Sequence, residues 1–180
     1  MNTFISAAQG VGAEVYIASD INAACSYICE RTTNTLLLPK QASLERSGLT
    51  EALADKCQAL AAYDRQQAEQ AESGVTGANF AIAETGSIAL ESTDEQVRLA
   101  TTLPTRHFVV LDPRKIVADG MAAIPHLRNL HEQAPRNYLA YITGPSRTAD
   151  IERVLTIGVH GPKELHIILL ENLSDDFLES

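Results

Sequence analysis

Tryptophan is absent from the 180-residue chain, and aromatic residues make up only 5% of it. Sequence-tolerant binding of single strands relies on aromatic faces for base stacking, so that class of partner is disfavoured. Positive charge is scarce as well. Fourteen Lys and Arg stand against 23 Asp and Glu, a formal net charge of −9. Such a surface repels phosphate backbones and anionic lipid headgroups, which argues against nucleic acid or a membrane surface as the main partner. A small anionic metabolite remains open, because local basic groups can outweigh a distant net charge. No stretch approaches the roughly 18 consecutive apolar residues of a membrane span, so no membrane insertion is expected. Residues Met1–Ser6 lack the basic region, apolar run and cleavage site of a signal peptide, and the expected compartment is cytoplasmic. Three cysteines, an odd count, fit reduced thiols better than a disulfide framework. Cys25 and Cys29 fall on one helical face and Cys57 on the apolar stripe of another, so all three read as small core residues. Two thiols alone make neither an iron–sulfur nor a structural zinc site. No metal and no cofactor are expected.

Apolar residues at 45% and charged ones at 21% are ordinary for a globular protein, and the length suits one domain over 1–180. Residues 12–18 read as a strand. Ser19 or Asp20 then caps a helix over 21–30 whose Ile21, Ala24, Cys25 and Ile28 share a face. Thr35–Leu38 is a second strand, stopped by Pro39, and this strand–helix–strand unit points to an α/β fold. Residues 44–71 read as mostly helical, with Leu49, Leu53, Cys57 and Leu60 on one stripe and Ser73-Gly74 as the stop. Phe80–Leu90 reads as two short strands around a polar kink, and Val109–Leu111 as another closed by Asp112-Pro113. A helix follows over about 114–132, kinked or divided by Pro125; His126 and His131 read as structural or exposed.

Tyr138–Ile142 and Leu165–Leu170 read as strands that can be parallel neighbours in one sheet, joined by a right-handed connection. On that topology the loop after Ile142 lies at the carboxyl ends of the strands, where open α/β sheets bind ligands.

Three polar clusters carry candidate chemistry. In the first, Glu84 is a possible base or nucleophile, Thr85 and Ser87 can donate to an anion, and Gly86 permits close backbone approach. The bland alternative is a hairpin turn whose polar groups satisfy one another. The second is Thr143, Gly144, Ser146, Arg147, Thr148 and Asp150. There a capped helix start with its free N–H groups can hold an anion, or can be an ordinary cap beside an exposed arginine. The third sets His160, a possible catalytic acid or base near neutrality, close to Lys163, a cation for carboxylate or phosphate; both also read as surface loop residues. His107 can reach the same cleft in a supporting role. None of the glycine spacings matches a Walker or dinucleotide motif.

Several segments together resemble a known family: Gly12-Ala-Glu-Val-Tyr16, Thr76-Gly-Ala78, Ile82-Ala-Glu-Thr-Gly-Ser87, Leu103-Pro104, and above all Ile142–Glu152 with Gly158–His166. The resemblance is to the LUD-domain family, and within it to the lactate-utilisation protein C (LutC, YkgG-like) branch. It implies a Rossmann-like parallel-sheet core of the NagB/RpiA/CoA-transferase kind, with a small antiparallel excursion over about 76–111. It also implies a part in bacterial oxidation of L-lactate to pyruvate, beside two iron–sulfur lactate-utilisation proteins. This chain has no cluster-ligating cysteine motif, so electron transfer is expected in those partners and a non-redox role, in assembly or ligand handling, here. Two other functions stay open. One is a transferase or isomerase acting on an acidic or phosphorylated metabolite. The other is a small-metabolite binding module.

Overall fold

Phe108–Leu111 and Ile167–Leu170 expose almost nothing on either face, each residue being 3% accessible or less. A strand buried on both sides belongs inside a parallel sheet covered by other layers. In the computed structural model these two runs pair in parallel at the middle of a six-stranded sheet. The structure describes residues 1–133, 136–148, 156–158 and 160–179.

The chain opens with α1 (Asn2–Gly10), β1 (Glu14–Ala18), α2 (Ile21–Glu30) and β2 (Leu36–Leu37). Next come α3 (Ala42–Arg46), α4 (Leu49–Lys56), β3 (Ala59–Leu60), α5 (Arg65–Gln70) and β4 (Ser73–Thr76). The middle holds β5 (Phe80–Ile82), β6 (Ser87–Glu91), α6 (Glu95–Thr102) and β7 (Arg106–Leu111). A 3-10 turn at Pro113–Lys115 leads to β8 (Ile116–Val117) and α7 (Gly120–Gln133). The remaining strands are β9 (Leu139–Ile142), β10 (Arg147–Thr148), β11 (Thr156–Ile157) and β12 (Glu164–Leu170).

The main sheet runs β1-β12-β7-β4-β2-β3, parallel throughout. Alternation along β7 splits the core into two layers, since successive strand residues face opposite sides. Phe108 and Val110 pack with Cys25, Ile28, Leu49 and Leu53 from α2 and α4. Val109 and Leu111 pack with Phe4 and Ala8 of α1 and with Ala81 and Ile88 of a second sheet. That second sheet is ordered β8-β5-β6-β9, antiparallel except for β5–β8. Its other face, with Phe80, Ile82 and Ala89, meets Ala123 and Leu130 of α7. It draws β5 and β6 from the 76–111 window and β8 and β9 from beyond, while β7 stays in the parallel core.

The parallel α/β core and the Asp20 cap match the sequence reading; Asp20 accepts the Ala23 N–H at 2.8 Å. Four local readings are corrected. First, Tyr138–Ile142 and Leu165–Leu170 are not neighbours. β9 pairs antiparallel with β6 at the edge of the second sheet, while β12 lies between β1 and β7. Tyr141 is 48% exposed and suits an edge, whereas β12 has no polar face to give to solvent beyond its first residue. Second, residues 44–71 are not one mostly helical stretch. Gly48 in a left-handed conformation (φ 78°) separates α3 from α4, Leu60 enters β3, and Ser73-Gly74 opens β4 instead of stopping a helix. Third, the helix expected over 114–132 begins at Gly120, because Ile116-Val117 pair with β5; Pro125 is held inside α7. Fourth, Arg147-Thr148 form a strand with Thr156-Ile157, so Ser146 leads into a strand and not into a helix. Asp150 and the amphipathic segment around it lie outside the described residues.

The cysteine reading is corrected too. Cys29, near the end of α2, is joined to Cys57, which terminates α4, with Cα atoms 5.9 Å apart. Cys25 stays a buried free thiol, and burial pushes its pKa up. The bond closes a loop across a sequence separation of 28, for which chain entropy gives about 3.5 kcal/mol of stabilisation. Reduction is therefore expected to lower the melting temperature by roughly 7–14 °C. The Cys57→Ser variant should start low and not respond to reductant; equal melting of wild type with and without reductant would refute the bond's contribution.

Candidate functional site

β9 leads directly into Thr143–Ser146, and these residues fold over the amino ends of the parallel strands. A cleft of about 270 Å³ opens there between Thr143–Ser146, His160–Pro162, Thr101-Thr102 at the end of α6, and His107 and Leu165 at the starts of β7 and β12. An adjoining hollow of about 370 Å³ shares Thr102, His160 and Gly161 and reaches Lys163. Both lie at the amino edge of the main sheet. The expectation of a site at the carboxyl edge is corrected: β9, which carries the loop, belongs to the other sheet.

Backbone bonds make one wall of two loops. The Ser146 N–H donates to Pro162 O at 2.9 Å and the Gly158 N–H to Ser146 O at 2.8 Å. The Lys163 N–H donates to Thr105 O at 2.8 Å, pinning the second loop to the entry of β7. A hydroxyl chain joins the first cluster to this wall. Thr85 Oγ1 lies 2.7 Å from Ser87 Oγ, which lies 2.7 Å from Thr143 Oγ1. Two glycines let α1 and its exit turn press against both loops. A Cβ on Gly86 (φ +67°) would sit 2.3 Å from Ala8 N, and one on Gly144 (φ +71°) 2.3 Å from Val11 O. A side chain fits at neither position, and both conformations favour glycine.

The structure thus gathers Thr143, Gly144, Ser146, His160 and His107 around one cleft, with Lys163 in the adjoining hollow and Thr85, Gly86 and Ser87 behind it. Other expected residues stand apart. Glu84 is exposed and outside the cleft lining; its N–H donates to Ala118 O at 3.0 Å. Arg147 is exposed and donates to Val11 O at 2.5 Å. Thr148 is half-buried in β10. Thr101, Thr102 and Tyr141 line the cleft but did not emerge from the sequence. The available signal was a Thr pair just before the Leu103-Pro104 helix stop, a few residues ahead of His107.

His107 is 1% exposed, with Nε2 2.9 Å from Thr76 Oγ1 and Nδ1 buried without a partner among the described residues. Burial depresses its pKa to about 3, so it is neutral at pH 7 and serves as a hydrogen-bonding group, not a charge. Burial raises the Tyr141 pKa, keeping that phenol protonated. Among the described residues lining the cleft and hollow there is no Asp or Glu. In a chain of net charge −9, the lining itself offers Lys163, His160 and several hydroxyls, an arrangement suited to a small anion.

The depressed His107 pKa has a stability consequence. Between its unfolded value near 6.5 and about 3, acid protonates the unfolded chain but not the folded one. Stability from this group is full above about pH 6.5 and falls by about 1.4 kcal/mol per pH unit below it. At pH 4.5 the His107 share of the loss is about 2–3 kcal/mol. Urea unfolding of wild type and His107→Gln at pH 7 and 4.5 checks this; parallel losses in the two proteins would remove His107 as the cause.

The LUD domain family model matches residues 1–170. Lactate utilization protein C of Bacillus licheniformis is 32% identical over 151 residues, 76% of this chain and 62% of that protein. The uncharacterized protein YkgG of Escherichia coli is 33% identical over 138 residues, 72% of this chain and 59% of that one. Lactate utilization protein B of Shouchella clausii is 31% identical over 135 residues, 71% of this chain but 26% of its own length. The chain spans about half to three-fifths of the length of the protein C and YkgG relatives it matches. A crystal structure of a DUF162 family protein from Deinococcus radiodurans superposes with a TM-score of 0.66, covering 93% of this chain and 94% of that one at 18% identity, which shows a common fold. With its sequence matched from residue 1 to residue 170, the chain belongs to the LUD domain family.

Proposed function

We propose that this chain is a non-redox, ligand-handling component of lactate utilisation, and that the amino-edge cleft is its small-anion site. The observation that carries the reading is the lining: no described carboxylate, with Ser146, Thr143 and His160 converging and Lys163 adjoining, in an acidic chain. L-Lactate offers one carboxylate for the cation and one hydroxyl for the Ser and Thr groups. Relatives named lactate utilization protein C and protein B lend the substrate class. Two of the three cysteines are joined and the third is buried, so the chain presents no exposed thiolate set for an iron–sulfur cluster. Electron transfer in the oxidation to pyruvate is assigned to two iron–sulfur partners. The transferase or isomerase alternative needs Glu84 as base or nucleophile, and that residue stands outside the cleft lining.

Reconstitution tests the proposal. Lactate-dependent dye reduction by the iron–sulfur partners should require this chain. Losing one charge-assisted hydrogen bond costs about 1.5–3 kcal/mol, so Lys163→Ala should bind lactate roughly 10–100-fold more weakly by calorimetry, with unchanged melting. Glu84→Gln should bind as wild type does. Full dye reduction with the chain omitted would sink the assignment.

A further inference from the structure

The carboxyl edge of the parallel sheet holds a second built pocket. Lys115, four residues past the end of β7, is 1% exposed. Its ammonium donates to Oε1 of Glu179, whose side chain is only 7% exposed. Oε2 of the same carboxylate accepts the Ser43 N–H at 3.2 Å. The Ser43 hydroxyl is fully buried and has no partner among the described residues. Gly77 completes the cradle. A Cβ there would lie 2.8 Å from Ser43 Oγ and 3.6 Å from Glu179 Oε2, so a side chain would intrude on the pocket. The Gly77 N–H is held by Gln41 Oε1 at 2.7 Å.

The occupant arrives on a strap. Phe177 stacks on His126 with centroids 3.8 Å apart, and its carbonyl accepts from Asn79 Nδ2 at 2.9 Å. Glu179 then adopts a left-handed backbone (φ 59°) that a non-glycine residue rarely takes. An open cleft of about 230 Å³ runs beside it, lined by Gln41, Asn79, Leu178 and Glu179, with three carboxylates, Glu45, Glu91 and Asp94, against one cation, Lys40, on its walls. Ligands in open α/β sheets bind beyond the carboxyl ends of the strands. Here that position is filled by the chain's own carboxylate.

We propose that the Lys115–Ser43–Gly77 pocket is a carboxylate-binding site which Glu179 occupies in cis, and that a short monocarboxylate can take its place. Lys115 and the Ser43 N–H hold the two oxygens, and the spare Ser43 hydroxyl meets a further polar atom of the ligand. The acidic walls of the open cleft select against a second negative charge, so the rest of the ligand is neutral or cationic. Glu179 competes as an intramolecular ligand at high effective concentration, so an external carboxylate binds only by releasing the strap.

Acetate, set against chloride at equal ionic strength, is the probe. Glu179→Ala should melt below wild type, and acetate should raise its melting point by about 3 °C at ten times the Kd. The dianion malonate should do so less. The double variant Lys115→Met/Glu179→Ala should respond no more than wild type does. If Glu179→Ala does not fold in chloride, refolding in acetate reads the same rescue. In wild type, acetate should speed chymotryptic cleavage at Phe177 as the strap is released. No rescue, equal rescue in the double variant, or an unchanged cleavage rate would overturn the proposal. The Lys163→Ala variant should keep wild-type behaviour in this assay, which separates failure here from failure of the amino-edge site.

Discussion

Burial of β12 on both faces is the constraint from which the rest follows. From Leu165 to Leu170 it can sit only where other strands flank it and other layers cover it, so it enters between β1 and β7. That insertion carries His160–Lys163 to the amino edge of the sheet. It also sets Glu164 in register with Arg106, which is in turn in register with Ser73. Arg106 bridges Glu164 at 2.6 Å and Glu72 at 2.7 Å. Burial works to raise both carboxylate pKa values, but the Arg106 hydrogen bonds outweigh it together with those from Thr33 and Asn34 at Glu72 and from His166 at Glu164, and both are held low. His166, buried on β12, reaches Tyr27 at 3.0 Å and Glu164 at 3.2 Å. One charged row thus ties the amino ends of three strands together, next to the cleft.

The second sheet supplies the other half of the site. Because β9 pairs with β6 and not with the main sheet, it points its exit loop at the amino edge. Thr85, Ser87 and Thr143 then fall into one hydroxyl chain across β6 and β9. The two edges of the parallel sheet differ as a result. The amino edge holds an open cleft whose described lining carries no carboxylate, whereas the carboxyl edge is closed by a buried Lys115–Glu179 pair delivered by the strap.

Much of the fold was legible along the chain because its signals are local. Asp20 before an apolar three-and-four repeat marks α2, and Phe80–Leu90 around Gly86 marks a β-hairpin. The misreadings share one cause: each depended on a partner distant in sequence. Leu60 looked helical by spacing and became a strand by pairing beside Leu37. Ile116-Val117 looked like the first turn of a helix and became an edge strand beside β5. Cys29 and Cys57 looked like independent core thiols, and only the packing of α2 on α4 brings them within bonding distance.

By itself, the sequence determined the α/β class, the family and the residue types of the candidate site. Apolar periodicity, capping residues and the Thr143–Ser146 and Gly158–Lys163 segments are properties of neighbouring residues. Tertiary structure alone decided which edge of the sheet carries the cleft, that His107 is neutral within it, and that Glu84 stands outside it. It also decided that Glu179 fills the opposite edge. Strand order, burial and long-range ion pairs arise between segments far apart in the chain, and no local pattern encodes them.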